Sequence, residues 1–431
     1  MSTSYITIIP LVLLWMVLPS STSVNDYLDK DMDYLVDFYK DRHMHPEISF
    51  QEEVTAARLA DELRKIGWEV TEGVGQTGVV GILKNGEGPT ILYRTDMDAL
   101  PMYEKTDLPY MSNTKIDFKG LETGAMHSCG HDMHMTTWLG TARAMTDMKS
   151  SWSGTLMFVG QPAEEIGAGA KAMIDDGLYE RFGVPDYGLG LHCSPTIPTG
   201  SIGLTEGYTM ANTESIDIKV KGVGSHGASP HMSIDPVVIA SMIVMEIQTI
   251  VSRNLKPIED AVVTVGSIQG GTANNIIPDE VLLKLTVRTY KQEVRHLIHR
   301  RLREICDGIA MSAGVPEEDY PELIIPETYT PANYNHPELT SIVTSSAASA
   351  IGQEQVTYAE PQMVGEDFSR YGSTTHKVPT VLYWLGTVSE EKIATGDLPG
   401  LHSPYYYPEI ESTITTAVEV NTAVLSKLLS K

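Results

Sequence analysis

The alternation of short β-rich runs with helical segments constrains the fold of this 431-residue chain more than any other feature. Segments 155–160 and 187–191 are apolar enough to form buried strands, and segment 170–174 between them lies within a helical pattern. A strand, a helix and a second strand in that order form a βαβ unit, in which the two strands run parallel. We therefore predict an α/β fold with a mixed, mainly parallel sheet flanked by helices.

The pattern changes near residue 208. There follow a half-exposed strand, a long amphipathic helix, two strands and a second helix, at 215–220, 236–254, 262–268, 281–290 and 296–311. A βαββα unit of this size predicts a separate α+β domain, which we call the lid. The α/β pattern returns after the lid, with helices at 339–350 and 412–429, so we expect the lid to be inserted into the main domain.

The predicted domains follow from these changes. The lid occupies 208–322, between the two parts of a catalytic domain at 24–207 and 323–431. Within the first part, helical patterning runs over 34–68 with a break at His45-Pro46-Glu47, and again over 133–148. The turn residues Asn85-Gly86-Glu87-Gly88 join the β-runs 79–83 and 90–95, which predicts a hairpin.

Residues 1–23 predict a targeting segment. Residues 6–18 are almost wholly apolar, and small residues at 20–23 precede the polar Val24-Asn25-Asp26. This is typical of a signal peptide, although no Lys or Arg precedes the apolar run, and an uncleaved short anchor is the alternative. We expect a secreted or periplasmic protein. No later stretch is predicted to be long or apolar enough to cross a membrane.

Charge and cysteine content narrow the classes of function. The net charge of −25 argues against binding to nucleic acid or to an anionic membrane surface, which both favour basic patches. Three cysteines are too few for a disulfide framework, even in an exported protein. Cys129 has an alternative use as a metal ligand, because an imidazole lies two positions away in the sequence.

Four polar groups follow β-runs closely. They are Asp96-Met97-Asp98 after 91–93, Glu164-Glu165 after 156–160, His192 after 187–191, and His402 soon after 381–385. Ligands of open parallel sheets bind beyond the carboxyl ends of the strands, where the loops converge. We therefore expect these side chains to share one crevice.

Cys129-Gly130-His131 carries the strongest chemical signal. Cysteine, histidine and carboxylate together are the ligand set of zinc and its first-row neighbours. Taken alone, the pair also fits a buried thiol beside a surface imidazole. Asp132 and His134 could be the N-cap and first-turn residues of the next helix, or Asp132 could orient a ligand histidine. Asp96 and Asp98 could be plain turn formers.

Glu164-Glu165 is the pair of carboxylates that most strongly indicates a catalytic site. Two carboxylates after an apolar strand are costly to desolvate unless a cation or a proton compensates them. In a hydrolase one of them can bind metal while the other moves protons, whereas the alternative is a solvated surface pair. His192 alone equally fits a core histidine. His226, in a glycine-rich lid loop, is either a plain loop residue or a donor to substrate.

Seven motifs occur in a fixed order along the chain. They are Arg94-Thr95-Asp96-Met97-Asp98-Ala99-Leu100-Pro101, Met126-His127-Ser128-Cys129-Gly130-His131-Asp132-Met133-His134, Gln161-Pro162-Ala163-Glu164-Glu165, Ser225-His226-Gly227-Ala228-Ser229-Pro230-His231, Gly270-Gly271 with Asn275-Ile276-Ile277-Pro278, Gly365-Glu366-Asp367-Phe368 and His402-Ser403-Pro404. With them the chain resembles the zinc-dependent amidohydrolase family of aminoacylases and carboxypeptidases. The branch it resembles contains hippurate hydrolases, indole-acetyl-amino-acid hydrolases and N-acetyl-diaminopimelate deacetylases.

The resemblance implies a metallopeptidase-like catalytic domain, a ferredoxin-like lid and a site for two divalent ions, Zn, Mn or Co. The implied ligands are Cys129, His131, Glu165, His192 and His402, with Cys129 bridging the ions. Glu164 would be the general base, and Asp98 would support the ligands from behind. His226 and Asn275 would hold substrate or oxyanion, in some relatives across a homodimer formed by the lid, and Arg288 would bind the substrate carboxylate.

The reaction implied by this resemblance is hydrolysis of an N-acyl-amino acid, with an acetyl, benzoyl or aryl-acetyl group, to a carboxylic acid and an amino acid. An exported carboxypeptidase or dipeptidase on the same fold is the alternative enzyme. A catalytically silent metal-binding interaction protein is the alternative outside enzymes, and such a protein would be free to lose Glu164. The expected partner is therefore a small molecule.

Overall fold

The computed structural model describes residues 24–396 and 398–430, so the predicted signal peptide lies outside the described residues. The helices are α1 (Val24–Met44), α2 (Glu53–Lys65), α3 (His131–Asp147), α4 (Gly169–Asp175), α5 (Leu178–Phe182), α6 (Pro236–Thr249), α7 (Gln292–Ser312), α8 (Pro337–Ile351), α9 (Ser369–Ser373), α10 (Glu390–Thr395) and α11 (Ile410–Leu428). The break predicted at His45-Pro46-Glu47 falls between α1 and α2.

The strands are mostly short. They are β1 (Glu69–Val74), β2 (Gly78–Asn85), β3 (Thr90–Asp96), β4 (Lys115–Phe118), β5 (Leu121–Gly124), β6 (Gly154–Gln161), β7 (Tyr187–Pro198), β8 (Ile202–Leu204), β9 (Gly207–Met210), β10 (Asn212–Lys221), β11 (Ser225–His226), β12 (Ala261–Gln269), β13 (Ile276–Ile277), β14 (Glu280–Thr289), β15 (Glu322–Ile324), β16 (Asn333–Asn335), β17 (Val356–Tyr358) and β18 (Thr380–Val388).

Eight strands form the main sheet, in the order β1-β2-β6-β3-β7-β18-β8-β17. Its centre is parallel, because β6, β3, β7 and β18 pair in parallel, while β1 and β2 pair in antiparallel fashion. The predicted α/β fold with a mixed sheet is confirmed. The predicted hairpin between β2 and β3 is wrong, since β6 lies between them. Both faces of β6 are apolar, and an interior position in the sheet buries both.

Both faces of this sheet are covered by helices. Along β3, Ile91 and Tyr93 pack into one core while Leu92, which points to the opposite face, packs into another. The first core receives helices α1, α2, α3, α8 and α11, and the second receives α4. Near-continuous apolar strands are expected wherever a parallel sheet is buried on both faces. The helices therefore leave the strand ends as the place where polar side chains can gather.

The lid has its own sheet and its own core. Its four strands are antiparallel in the order β12-β14-β10-β15, which is the ferredoxin-like order. Helices α6 and α7 cover the sheet and bury a separate apolar cluster that includes Ile216, Ile243 and Ile298. The chain enters the lid after β9 and leaves it before β16, and these two strands pair with each other.

Helix α6 requires one correction. The stretch Pro236–Asn254 has 19 residues and a mean hydropathy of 1.4, so by length and composition it could cross a membrane, contrary to the prediction that no later stretch would. The reason is that its charged residues are few, namely Glu246 and Arg253. Only a third of it is buried, against the lid core, and Val238 and Met245 are exposed.

Candidate metal centre

The predicted crevice exists at the carboxyl ends of the central strands. A cavity of about 640 Å³ is lined by side chains from the segment after β6, from strands β7 and β18, from the segment before α3 and from the loop between α10 and α11. Among its lining residues are the predicted general base, Glu164, and four of the five predicted metal ligands, namely Cys129, Glu165, His192 and His402. His131, the fifth predicted ligand, lies behind them and is fully buried. Parallel strand order therefore brings together side chains that are up to 273 positions apart in sequence.

Two groups of possible ligands share the sulfur of Cys129. Its Sγ lies 3.5 Å from Nε2 of His192 and 3.3 Å from Nε2 of His402. The His402 nitrogen is 3.4 Å from Oε2 of Glu165, and Nε2 of His131 is 3.9 Å from Oε1 of the same carboxylate. Cys129, His131 and His192 form one triad of donors, and Cys129, Glu165 and His402 form another. The sulfur of Cys129 would be available to both groups if each held an ion.

Hydrogen bonds to backbone carbonyls fix the tautomers of two histidines. Nδ1 of His131 donates to the carbonyl oxygen of Asp98 at 2.7 Å, and Nδ1 of His192 donates to that of Cys193 at 2.9 Å. In the neutral form of each ring, Nε2 therefore keeps its lone pair and points into the group of donors. Such outer hydrogen bonds are the usual way to orient a histidine that binds metal.

These side chains are better suited to bind a divalent metal than to form hydrogen bonds with one another. Nε2 of His131 and Oε1 of Glu165 are buried and have no hydrogen-bond partner among the described residues, which costs free energy unless a cation compensates. Burial and the carboxylate of Glu165 raise the pKa of the Cys129 thiol well above its ordinary value. A thiolate at this position therefore needs a bound cation. The soft sulfur with imidazole and carboxylate suits zinc and related ions.

Local backbone conformation holds two of the donors in place. Gly130, between Cys129 and His131, has φ of 86°, and a side chain there would crowd Cys193, since a Cβ would lie 3.1 Å from its sulfur. His402 has φ of 63°, which is unusual for a residue with a side chain. Strained backbone of this kind persists only where the surroundings determine it, and it clusters at functional sites.

Asp98 binds the backbone of the segment that carries the two glutamates. Its two carboxylate oxygens accept the backbone N–H groups of Glu164 and Glu165, each at 3.0 Å. Ser49 donates to the same carboxylate at 2.6 Å. Burial, with the carboxylates of Glu366 and Glu165 nearby, raises the pKa of Glu164 well above the ordinary glutamate value. Asp98 is thus a support of this segment rather than a turn former.

A buried cluster of charged side chains adjoins Glu164, and the sequence analysis assigns no role to it. The guanidinium of Arg94 donates to Asp96 at 2.7 Å and to Glu366 at 2.9 Å, and it lies 3.4 Å from Asp367. The motif Gly365-Glu366-Asp367-Phe368 was a signal of this cluster, but its partner in the buried β3 could not be read from the sequence. Arg94 neutralises acids that would otherwise repel the Glu164 carboxylate.

Asp96 and His134 form a second support that sequence reasoning left as turn and helix residues. Nε2 of His134 accepts the backbone N–H of Cys193 at 2.8 Å, so its Nδ1 donates to Asp96 at 2.6 Å. Asp96 also lies 3.5 Å from Nε2 of His131. This chain of contacts links the end of β3, the start of α3 and the strand β7 that carries His192.

Asp132 is neither an N-cap nor a partner of a predicted ligand. Helix α3 begins at His131 with Gly130 as its N-cap, so Asp132 already lies within the first turn. Its carboxylate instead lies 2.6 Å from Nδ1 of His43, whose Nε2 is 3.0 Å from Glu104. Burial opposes a charge on His43, but hydrogen bonds to Asp132 and Glu104 outweigh it and raise its pKa to about 9. The three side chains form a buried ion network beneath α3.

We expect His43→Ala to destabilise the fold by about 3–5 kcal/mol, because it leaves two buried carboxylates without their cation. The pKa of His43 is higher in the folded protein than its ordinary 6.5, so its stabilisation is complete below pH 6.5 and is lost as the pH rises through about 9. Urea unfolding with a chelator present, at pH 6 and at pH 9.5, measures both effects.

His45→Ala is the matched control for this prediction. His45 follows the same helix end, but its side chain is exposed and its Nδ1 bonds only locally, to the carbonyl oxygen of Asp41. Its replacement should change the unfolding free energy by less than about 0.5 kcal/mol. Equal stabilities of wild type at the two pH values, or equal effects of the two variants, would contradict the role given to His43.

Of the three lid residues predicted to contact substrate, one lines the cavity and two do not. Arg288 lines the cavity, and within the described part of the chain no carboxylate lies within ion-pair distance of it. His226 and Asn275 are exposed and adjacent, since Gly227 N–H donates to the Asn275 carbonyl at 2.8 Å. Neither is among the residues that line the cavity of their own chain.

The fold and this site together define a metal-dependent hydrolase. A metallopeptidase-like sheet carries a thiol, three imidazoles and a carboxylate around one cavity, with a second buried carboxylate beside them. The sequence matches the model of the Peptidase family M20/M25/M40 over residues 92–427. The chain therefore belongs to this family, and it is a metal-dependent amidohydrolase, as the resemblance implied.

Similar proteins agree with this assignment. The chain is 37% identical over 363 residues to the N-acetylcysteine deacetylase of Bacillus subtilis, covering 83% of this chain and 89% of that protein. It is 38% identical over 342 residues to the hippurate hydrolase of Campylobacter jejuni, covering 78% and 85%. Among solved structures, a dinuclear metal-binding M20 peptidase of Bacillus subtilis matches with a TM-score of 0.75 at 31% identity, over 92% of this chain and 98% of that one.

Proposed function

We propose that this protein hydrolyses N-acyl-amino acids with two divalent metal ions held by Cys129, His131, Glu165, His192 and His402. The observation that carries the proposal is the pair of donor triads that share the Cys129 sulfur, beside the buried carboxylate of Glu164. The resemblance of the chain to deacetylases and to a hippurate hydrolase supports the substrate class. Zn, Mn and Co all suit these donors.

The hydrogen bonds that the acidic side chains of the cavity already make favour an acylated substrate over an unblocked dipeptide. Besides Glu164 and Glu165, the carboxylates that line the cavity are Glu366 and Asp367. Glu366 accepts hydrogen bonds from Arg94 and from the Phe368 N–H, each at 2.9 Å. Asp367 accepts from Gln161 at 2.6 Å and from the Ala170 N–H at 2.9 Å. An α-ammonium group would therefore find no unengaged carboxylate here, whereas an acyl group needs none.

Proton transfer is assigned to Glu164. Bound divalent ions would supply Lewis acidity and a more acidic water. Glu164 takes the proton of the attacking water and returns it to the nitrogen of the leaving amino acid, since its buried carboxylate lies in the cavity beside the candidate ligands. Arg288 in the cavity wall pairs with the substrate carboxylate, since it has no carboxylate partner within the described residues.

The test is a substrate comparison with protein that begins at Val24 and carries Zn²⁺, Mn²⁺ or Co²⁺. Acetyl-, benzoyl- and indole-acetyl-amino acids are compared with unblocked dipeptides and with blocked tripeptides. We expect kcat/KM to be at least about 10-fold higher for the acyl-amino acids than for dipeptides, because a buried ammonium group without a partner is costly. Preference for the dipeptides or the tripeptides would instead establish a peptidase, and no hydrolysis at all would favour a silent protein.

We further propose that the lid forms a homodimer through β12 and α6. Strand β12 is an edge strand of nine residues that, within the described part of the chain, pairs with β14 alone, and long uncovered edges favour pairing with another chain. Beside it, α6 exposes Val238 and Met245, with Met245 73% exposed. A second copy would cover both features. In such a dimer the exposed pair His226 and Asn275 is free to reach the cavity of the partner.

His226→Ala is expected to fold and keep its metal but to lose about 10²–10³ in kcat, the usual value of one preorganised oxyanion donor. Mixing His226→Ala with Glu164→Ala should restore part of the activity, because one of the two cavities in a mixed dimer would be complete. His231→Ala, in the same loop, is the control and should retain activity. Full activity of His226→Ala would contradict its role, and a failure of the mixture to gain activity would contradict action in trans.

Export is proposed on the sequence alone, from the apolar run at 6–18 and the small residues after it. We expect a secreted or periplasmic protein whose mature N-terminus lies near Val24. Mass spectrometry of the protein from its native cell measures that terminus. A cytosolic protein that retains Met1 would exclude export, and a membrane-bound protein that retains it would establish the uncleaved anchor.

A further inference from the structure

Glu52 is a buried carboxylate to which neither the sequence motifs nor the proposed reaction gives a role. It has no exposed surface, and among the described residues no Lys, Arg or His lies within ion-pair distance of it. It holds the N-cap position of α2, yet its side chain makes no cap hydrogen bond. N-caps are usually Ser, Thr, Asp or Asn, whose short side chains satisfy the first helical N–H groups. The carboxylate is therefore directed elsewhere.

Its contacts lie on the segment that carries the two glutamates. Oε1 of Glu52 accepts the backbone N–H of Ala163 at 2.8 Å, across 111 positions of sequence. Oε2 accepts the hydroxyl of Thr77 at 2.6 Å. The carboxylate of Asp98 accepts the next two N–H groups along the chain, those of Glu164 and Glu165. Two buried carboxylates thus hold three successive backbone N–H groups.

Ala163 is the residue at which this support matters most. Its φ is 49°, in the left-handed region, which is unfavourable for a residue with a Cβ. Its carbonyl oxygen also accepts from the N–H groups of Ala168 and Gly169, each at 3.1 Å, so both of its backbone groups are fixed. Since Ala163 immediately precedes Glu164, a change of its φ would rotate the side chains of Glu164 and Glu165 away from the cavity.

We propose that Glu52 is a positioning residue, whose hydrogen bond to Ala163 holds the left-handed backbone that directs Glu164 and Glu165 into the site. The burial of a carboxylate without a cation is costly, and here it is compensated by an N–H and a hydroxyl. The substitution Glu52→Gln preserves both contacts in principle, because the amide oxygen accepts from Ala163 while the amide nitrogen donates to the Thr77 oxygen. Glu52→Met preserves only the volume.

The test rests on the proposed function, because it measures kcat and KM on the acyl-amino acid that wild type hydrolyses best, together with metal content. We expect Glu52→Met to lose about 10- to 100-fold in kcat, with KM changed less than 3-fold, since small displacements of reacting groups cost rates of this order. Its metal content should also fall, because Glu165 moves with Glu164. Glu52→Gln should remain within about 5-fold of wild type in kcat and keep its metal.

Two further variants separate positioning from general stability. Thr77→Val removes the other hydrogen bond of Glu52 and should lower stability while leaving kcat within about 2-fold. Ala163→Gly removes the Cβ penalty at positive φ, so the loss caused by Glu52→Met should be smaller in the Ala163→Gly background than in wild type. This coupling is a readout that a purely structural role would not move.

The outcomes are distinguishable. Wild-type kinetics and metal content in folded Glu52→Met, or a loss in kcat equal in both backgrounds, would overturn the inference. A large loss in Glu52→Gln would overturn it as well, because the contacts would then matter less than the charge. If Glu52→Met does not fold, Glu52→Gln and its comparison with Thr77→Val decide in the same way. Wild type without activity on any acyl-amino acid would fail the proposed function, while metal content would still test Glu52.

Discussion

Glu164→Gln is expected to bind its metal and its substrate nearly as wild type does, while kcat falls by about 10²–10⁴. The amide has the size of the carboxylate but cannot take a proton. A carboxylate can take a proton from the attacking water and give it back to the leaving nitrogen, and neither step is open to the amide. Metal analysis, KM and kcat on one acyl-amino acid measure the three parts of this prediction.

Glu165→Ala is the informative comparison, because Glu165 lies next to Glu164 in the chain but is assigned as a metal ligand rather than as the general base. Its carboxylate lies 3.4 Å from Nε2 of His402 and 3.9 Å from Nε2 of His131, among the candidate ligands. We expect its metal content to fall and added metal to restore part of the activity. The assignments are reversed if Glu164→Gln loses metal and Glu165→Ala does not. If neither variant changes metal content or rate, the proposed site is wrong.

Cys129→Ala is expected to lose at least one metal ion per chain and most of the activity. The sulfur is common to both donor triads, so its removal weakens both positions at once. Metal analysis by mass spectrometry gives the stoichiometry directly, and loss of a ligand should also lower the melting temperature of the metal-loaded protein, since metal binding stabilises the folded state. Complete chelation should abolish activity in wild type.

Cys306→Ala provides the control for the loss of a buried thiol. Cys306 is fully buried in the lid core, and it belongs to none of the donor groups found among the described residues. Its replacement should lower stability slightly through a small cavity while metal content and kcat stay as in wild type. An active enzyme after complete chelation, or unchanged metal content in Cys129→Ala, would exclude the proposed metal centre.

The sequence predicted the site better than its surroundings. Glu164, Glu165, His192 and His402 were placed together because each follows a β-run, and the ends of neighbouring strands do meet at one cavity. The pairing of β2 with β3 was mispredicted because a hairpin signal depends on a few turn residues, whereas the sheet order depends on which strand can be buried on both faces.

The buried charges were largely beyond sequence reasoning. His43, Glu52 and Arg94 are charged residues that hydropathy patterns place at the surface, yet each is buried against partners distant in the chain. Their burial is affordable only because a partner compensates it, and the partner is identified only when the chain is folded. The same reasoning explains why Asp132 was misassigned as a cap or a ligand support.

Local order along the chain thus determined the fold class, the family and the choice of candidate metal ligands, because periodicity and motif spacing are properties of neighbouring residues. The tertiary structure decided what supports those side chains: Asp98 and Glu52 behind the glutamates, and His134 behind His192. It also separated Arg288, in the cavity wall, from His226, which lies outside it. Contacts between residues far apart in sequence depend on sheet order and domain arrangement, and no local pattern encodes them.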